Sequence, residues 1–249
     1  MAATFEGDLD SAKAVKEARN AAAGATAAGN PDAARYAVLR RLAPALKHDM
    51  VVNLQAASMM AEVMGARMEK GLPPGDELPA NLARMNRLTR EAVAGCLAVA
   101  TWIEPSDEEA IELSAGVQDC VAVLSSNFSF RGFGIANAVA GERFPVNRTV
   151  LRNHLVAAML CLTDEEDTPC ELTVTHSCTP TAALLTIRSG QRLEPIDSHP
   201  VQVSYKQLAW ADVQAMALED SVECVRTGGE ISLRLPRMVV TRPLRITPV

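Results

Sequence analysis

Apolar residues recur at intervals of three and four along the first half of the chain, and this spacing predicts two long helices. The turn and cap at Asn30-Pro31-Asp32 begin the first helix, which extends to Lys70. A break rich in Gly and Pro occupies residues 71–75, and a second helical pattern runs from Asp76 to about Ile103. The apolar seam of the first helix comprises Leu39, Leu42, Leu46, Met50, Ala57, Met60 and Met64, with Asn53 as a polar interruption.

The short polar loop between these helices predicts an antiparallel hairpin. A hairpin of about 70 residues cannot cover both of its apolar faces by itself. A second copy would cover them, so we expect a homodimer in which two hairpins form a four-helix bundle with twofold symmetry.

After residue 104 the pattern changes to strands mixed with helices. Helical patterns cover 107–127, 144–167 and 210–220, and strand patterns cover 128–140, 170–178, 182–189, 228–236 and 239–246. This arrangement predicts a two-layer α/β domain with helices against one sheet. The expected class is therefore α+β, with a leader at 1–31 that is disordered or helical, a helical hairpin at 32–104 and the α/β domain at 105–249.

Charge and hydropathy exclude several classes of function. The formal net charge of −6 provides no basic footprint for nucleic acid or for an anionic membrane. No apolar run approaches the roughly 20 residues of a membrane span, and the N-terminus lacks the basic-then-apolar order of a signal peptide. We expect a cytoplasmic protein. The six cysteines include no C-x-x-C pair and are expected to be reduced core residues.

His48 is the residue that stands out on the first helix. At about 100° per residue it lies roughly 160° from the mean direction of the apolar seam, so it points away from the bundle core. Arg41 and Gln55 share this outer face, and Ala45 and Val52 complete a small patch around the ring. An ordinary surface histidine has the same geometry.

The acid that follows His48 adds chemistry to this position. A neutral imidazole offers one nitrogen as a nucleophile and can accept a phosphoryl group, while a carboxylate one residue later can orient or deprotonate the ring. Asp49 is placed for that second role. A solvated pair without a catalytic role has the same sequence, so both interpretations stay open on the residues alone.

A long helix with a His-acid pair, a returning helix and a two-layer α/β domain together resemble the phosphotransfer hairpin and ATPase-like domain of sensor histidine kinases. The resemblance covers about residues 33 to 240. In the H-box of that family an acid follows the histidine, then a polar residue stands at the fourth position, proline at the fifth and an apolar residue at the sixth. Asp49 and Leu54 keep this pattern, whereas Val52 replaces the polar residue and Asn53 the proline. Because the polar residue often serves dephosphorylation in the family, the resemblance does not extend to phosphatase activity.

The nucleotide-binding motifs of the family are lost. When Asn153 is set at the first asparagine of the N-box, Ala157 occupies the magnesium-binding position, and alanine cannot ligate a metal. Where the family has an Asp-x-Gly-x-Gly loop, this chain has Gly190 alone and no aspartate, and the Gly-rich lid before the last helix is missing. Since phosphoryl transfer from ATP requires metal and fixed donors, we do not expect an ATP-dependent kinase.

A chain that keeps the histidine hairpin without nucleotide binding resembles the dimeric histidine phosphotransferases of bacterial phosphorelays. The resemblance implies that His48, assisted by Asp49, accepts phosphate from one response-regulator receiver domain and passes it to another. It implies no cofactor on this chain, with Mg²⁺ only on the receiver. The receiver is expected to contact Ala45, Val51 and Val52 as an apolar surface, with Arg41, Lys47 and Gln55 as its polar border.

Two alternatives remain at this point. One is a non-catalytic, kinase-like binding protein that sequesters a response regulator or a kinase. The other is an active kinase with an unusual nucleotide pocket. Acid-labile, base-stable phosphorylation separates the first alternative from a phosphotransferase, and a thermal shift with ATP and magnesium tests the second.

Overall fold

The computed structural model describes residues 29–71, 78–103, 109–141, 143–166, 168–192 and 205–239. Helices α1 (Pro31–Glu69) and α2 (Leu78–Ile103) pack against each other as a hairpin. The side-chain oxygen of Asn30 accepts a hydrogen bond from the Ala33 N–H at 3.1 Å, so the N-cap is formed as predicted. The leader at 1–28 and the predicted break at 72–77 lie outside the described residues.

The second half forms a mixed α/β domain. Its elements, in chain order, are β1 (Ala110–Glu112), α3 (Leu113–Phe130), β2 (Gly134–Asn137), β3 (Pro145–Asn147), α4 (Arg148–Glu165), β4 (Cys170–Cys178), β5 (Ala182–Arg192), α5 (Trp210–Glu219), β6 (Glu223–Thr227) and β7 (Glu230–Pro236). The main sheet has the order β2-β4-β5-β7-β6, and all its pairs are antiparallel except β2 with β4. The α+β class, with a helical hairpin followed by a two-layer domain, is confirmed.

One face of this sheet packs against the helices and forms one side of the hydrophobic core. Alternate residues of the central strands are buried against the helices, as the period of a half-buried strand requires. These core positions are Cys170, Leu172 and Val174 on β4, Ala183, Leu185 and Ile187 on β5, and Ile231, Leu233 and Leu235 on β7. The opposite face carries shorter polar side chains, including Thr175, Thr186 and Ser232, which are cross-strand neighbours.

The first half of α1 lies over the helical layer of the domain and contacts α3, α4 and α5. Its residues Ala34, Val38 and Leu42 are at most 1% exposed. As a consequence α4 is buried on nearly every side between the sheet and the helices, and Leu155 to Leu160 have no measurable exposure. The hairpin and the α/β domain thus share one hydrophobic core.

Several predicted boundaries are wrong at the helix starts. The pattern over 107–127 predicted helix throughout, but β1 precedes α3; likewise β3 precedes α4. These two short strands pair with each other, with Ile111 opposite Val146, and tertiary pairing of this kind leaves no local signal. β6 was not predicted as a separate strand. The domain divisions at 31/32 and 104/105 stay predictions.

Among the helices of the described residues, none combines the length and the hydropathy needed to cross a lipid bilayer.

Candidate functional site

His48 lies on α1 beyond the part of the helix that the α/β domain covers, and its side chain is exposed. At about 100° per residue, His48, Val52, Met59 and Val63 fall within an arc of roughly 60°. The three apolar side chains of this arc are 45%, 62% and 56% exposed, respectively. The imidazole therefore stands at the end of an exposed apolar stripe, which we call the His48 stripe.

The opposite side of α1 holds the helix in place. Leu42, Leu46 and Ala57 of the predicted seam are buried, and Met50 and Met60 are half-buried. Because this seam packs on α2 and on the α/β domain, the residues about 160° away are presented outward. The predicted direction of His48 follows from this packing and is confirmed.

The other predicted residues around His48 are arranged as a mixed surface. Lys47 and Gln55 are exposed, whereas Ala45 and Val51 are half-buried. Asp49 lies within α1, but its side chain is outside the described part of the chain, so its proposed role stays a prediction.

Arg41 corrects the predicted docking border. It lies two turns before His48 on nearly the same side of α1, yet its side chain is fully buried. It forms an ion pair with Asp164, and its guanidinium stacks 4.4 Å from the ring centroid of Tyr205. Its Nε and Nη2 atoms have no hydrogen-bond partner among the described residues. Arg41 therefore belongs to the domain interface and not to an exposed border, because the α/β domain covers this side of the helix as far as Arg41.

Asp164 joins three parts of the structure. One carboxylate oxygen accepts hydrogen bonds from Arg41 and from the Leu208 N–H at 2.9 Å, and the other lies 3.3 Å from Nη2 of Arg131. The Asp164 side chain is 2% exposed. Asp164 begins a run of four acidic residues at 164–167 whose composition is that of a solvated loop, yet its own side chain is buried. The sequence signal for this burial is that Asp164 stands two positions after the apolar run 155–162 of α4.

The cluster carries a net positive charge, because two arginines share one carboxylate. Burial lowers the pKa of Arg131, the nearby Asp164 opposes this shift, and the like charge of Arg41 adds to it. We call the group of Arg41, Arg131 and Asp164 the Asp164 tie. It joins α1 to the α/β domain at Arg41, two helical turns before His48.

A second group of polar contacts joins the N-terminal end of α1 to the α/β domain. Arg35 donates hydrogen bonds to Glu219 at 2.7 Å and to Asp220 at 2.8 Å. His154, which has no exposed surface, contacts Asp220 through Nε2 at 2.9 Å. The hydrogen bond from His154 is the largest cause that lowers the pKa of Asp220, and Arg35 lowers it further, while burial opposes both.

A third group of polar contacts joins the C-terminal end of α2 to the α/β domain. Arg152 of α4 donates to the Thr101 hydroxyl at 2.7 Å and to Asp119 at 3.0 Å, and its guanidinium lies 4.7 Å from the ring centroid of Trp102. Next to it a cavity of about 110 Å³ opens between α1, α2 and the first turns of α4. Its lining includes Asn153, the residue set at the first N-box position.

Ala157 and Gly190 are the positions that the sequence comparison set at nucleotide-binding motifs. Ala157 is fully buried in the middle of α4. Gly190 lies within strand β5, where a Cβ would come 3.0 Å from the Glu171 carbonyl oxygen. The described residues contain no group of three or more His, Cys, Asp or Glu side chains placed to hold a metal ion.

No protein-family model and no curated protein matches the chain. Similar solved structures include the catalytic domain of histidine kinase ThkA, with a TM-score of 0.38 and 11% identity over 52% of this chain and 96% of that one. Acinetobacter baumannii histidine kinase AdeS has a TM-score of 0.37 and 11% identity over 76% of this chain and 96% of its own. A bacterial phosphotransferase has a TM-score of 0.32 and 15% identity, covering 80% and 95%, respectively.

Proposed function

We propose that this protein is a histidine phosphotransferase of a two-component phosphorelay. It accepts a phosphoryl group at His48 from the aspartate of one receiver domain and passes it to the aspartate of another. The observation that carries the proposal is the exposed imidazole of His48 at the end of an exposed apolar stripe. A reactive side chain next to accessible apolar surface suits a site where a partner protein docks.

The transfer needs little from this chain beyond a presented nucleophile. One ring nitrogen of neutral His48 attacks the phosphorus of the aspartyl phosphate, so that a P–N bond forms as the P–O bond breaks. The receiver aspartate leaves as a carboxylate with the bonding electron pair. The positive charge that develops on the ring is removed when the other ring nitrogen loses its proton. Asp49 is proposed to accept that proton or to orient the ring. In the reverse step a second aspartate attacks and the imidazole leaves.

The receiver supplies the magnesium ion of this reaction in our proposal. A metal held by the receiver neutralises the charge on the transferring phosphoryl group. The proposed docking surface contains Ala45, Val51 and Val52 as apolar contacts, with Lys47 and Gln55 at its polar border. Arg41, which is buried, is excluded from it.

ATP independence is supported by the packing of α4. The helix that carries Ala157 is enclosed by the sheet, α1 and α5, and the magnesium position holds a buried methyl group. A carboxamide or carboxylate oxygen is the kind of ligand that magnesium requires. The described part of α4 therefore favours a domain that no longer holds a metal–nucleotide complex.

A homodimer is supported by apolar surface on α2. Leu82, Val93 and Leu97 fall within an arc of roughly 60° and are 50%, 54% and 64% exposed. A run of exposed apolar residues along one side of a helix is typical of a surface that packs against another protein. We propose that a second hairpin covers this side and completes a four-helix bundle.

Labelling from a phosphorylated receiver domain tests the function. Purified wild-type protein is expected to gain a phosphoryl group that is stable in base and labile in acid, and His48→Ala is expected to lose it entirely. His176→Ala, which replaces a histidine on β4, is the matched control and should label like the wild type. Label retained on the His48→Ala variant would contradict the assignment of the site.

A binding protein without transfer is the second candidate. Val52 favours it, because it places an exposed apolar side chain at the H-box position where the family has a polar residue. This candidate predicts a stable complex with receiver domains and no phosphohistidine on the wild-type chain. The labelling experiment therefore separates the two functions.

A further inference from the structure

We propose that Asp164 is a positioning residue for His48, through the Asp164 tie that fixes the α/β domain on α1. The proposal rests on the proposed function, because it concerns how a receiver reaches His48. It assigns a role in transfer to an aspartate that contacts neither the imidazole nor the partner.

The spacing along α1 brings Arg41 close to His48. Arg41 and His48 are seven residues apart, which places their Cα atoms about 10 Å apart along the helix axis and on nearly the same side. Arg41 is buried by the α/β domain, whereas His48 is exposed. The edge of the domain therefore crosses this side of α1 within two turns of His48.

A protein partner is large relative to the distance between Arg41 and His48. A specific interface buries about 800 Å² on each side, which corresponds to a disc with a radius of about 16 Å. A disc of that size centred on His48 extends past Arg41. A receiver that brings its aspartate to the imidazole must therefore fit against the end of the α/β domain, and the position of this end decides how closely the receiver approaches.

Three segments of the α/β domain meet at this end. The C-terminal end of α3 contributes Arg131, the C-terminal end of α4 contributes Asp164, and the chain entering α5 contributes Tyr205 and the Leu208 N–H. All of these groups meet at Arg41 or Asp164. Asp164 is the single anion among two buried or largely buried cations, so its loss leaves both arginines without a partner of opposite charge among the described contacts.

The Asp164 tie fixes the position of the α/β domain on α1 and leaves the reactivity of the His48 ring unchanged. We therefore expect Asp164→Asn to lower the second-order rate of transfer from a phosphorylated receiver by at least about tenfold, since a displacement of about 1 Å at a reacting centre has effects of this size or larger. Labelling of His48 by phosphoramidate, a small donor whose P–N bond breaks to release ammonia, should stay within twofold of the wild-type rate, because no protein has to fit against the domain.

Asp220→Asn is the matched control. Asp220 also joins α1 to the α/β domain, but its partner Arg35 is thirteen residues before His48, about 20 Å along the helix. If domain attachment in general were the cause, both variants would lose transfer equally, and that result would overturn the proposal. We expect Asp220→Asn to change the transfer rate by less than about threefold.

A milder variant covers the case in which Asp164→Asn does not fold. Arg41→Met removes the α1 side of the tie, while Asp164 keeps Arg131 and the Leu208 N–H. It should lower transfer from the receiver and leave phosphoramidate labelling unchanged. Wild-type rates of receiver transfer in both tie variants would overturn the positioning role, whereas failure of the wild-type protein to label at all would overturn the proposed function instead.

Discussion

Arg41 and His48 lie two turns apart on nearly the same side of α1, yet the first is enclosed by the α/β domain and the second faces solvent. The domain edge between them separates a buried electrostatic contact from an accessible nucleophile. Any folded partner that reaches His48 approaches this edge, so the stability of the contact at Arg41 bears on the chemistry at His48.

The Asp164 tie predicts an unequal pair of stability effects. Asp164→Asn should lower the free energy of unfolding by about 3 kcal/mol, because removing one member of a buried ion pair leaves uncompensated charge. Arg41→Met should cost less, since Asp164 remains neutralised by Arg131. Urea denaturation of both variants measures the difference, and a larger loss for Arg41→Met would contradict this account of the cluster.

Asp220 predicts a pH dependence of stability in the acid range. Its pKa is lowered in the folded state by His154 and then by Arg35, so the unfolded chain binds its proton more readily. The contribution of Asp220 is therefore complete above the ordinary carboxyl pKa of about 4 and is lost as the pH falls through the lower, folded value. The stability difference between the wild type and Asp220→Asn should shrink below about pH 4. A difference that stays constant from pH 6 to pH 2.5 would contradict the assignment.

The apolar side of α2 predicts the oligomeric state. Leu97→Asp places a charge in the proposed bundle core and should convert a dimer into a monomer, as sedimentation velocity at micromolar concentration can show. Leu218→Asp is the control, because Leu218 is 83% exposed on α5, a helix that is not part of the hairpin, and it should leave the dimer intact. A wild-type monomer would end the dimer proposal.

The packing of α4 predicts no response to nucleotide. Millimolar ATP with magnesium should leave the melting temperature unchanged within about 1 °C, since a ligand stabilises only a folded state that it binds. Phosphorylated receiver domain, in the same assay, is the positive comparison. A rise of several degrees with ATP and magnesium would instead favour the kinase alternative.

The hydrophobic pattern of the sequence determined most of the fold class and the direction of His48. A helix of 39 residues needs only a sustained period and a cap, and both are local properties: the seam through Leu42 and Leu46 and the cap at Asn30 predicted α1 closely. The strand pair β4 and β5 followed from alternation and a short turn. The short strands β1 and β3 did not, because each is held by a partner distant in the sequence.

Tertiary structure alone decided which polar residues near His48 are accessible. The helical period places Arg41 and Gln55 on the same outer side, and nothing in that period shows that the α/β domain folds back over one and not the other. Likewise the acidic run at 164–167 has the composition of a solvated loop, while Asp164 in fact pairs with two arginines contributed by distant segments. Burial of charge depends on which elements meet in space, so the sequence determined that His48 points outward, and only the packing of the domain on α1 determined what surrounds it.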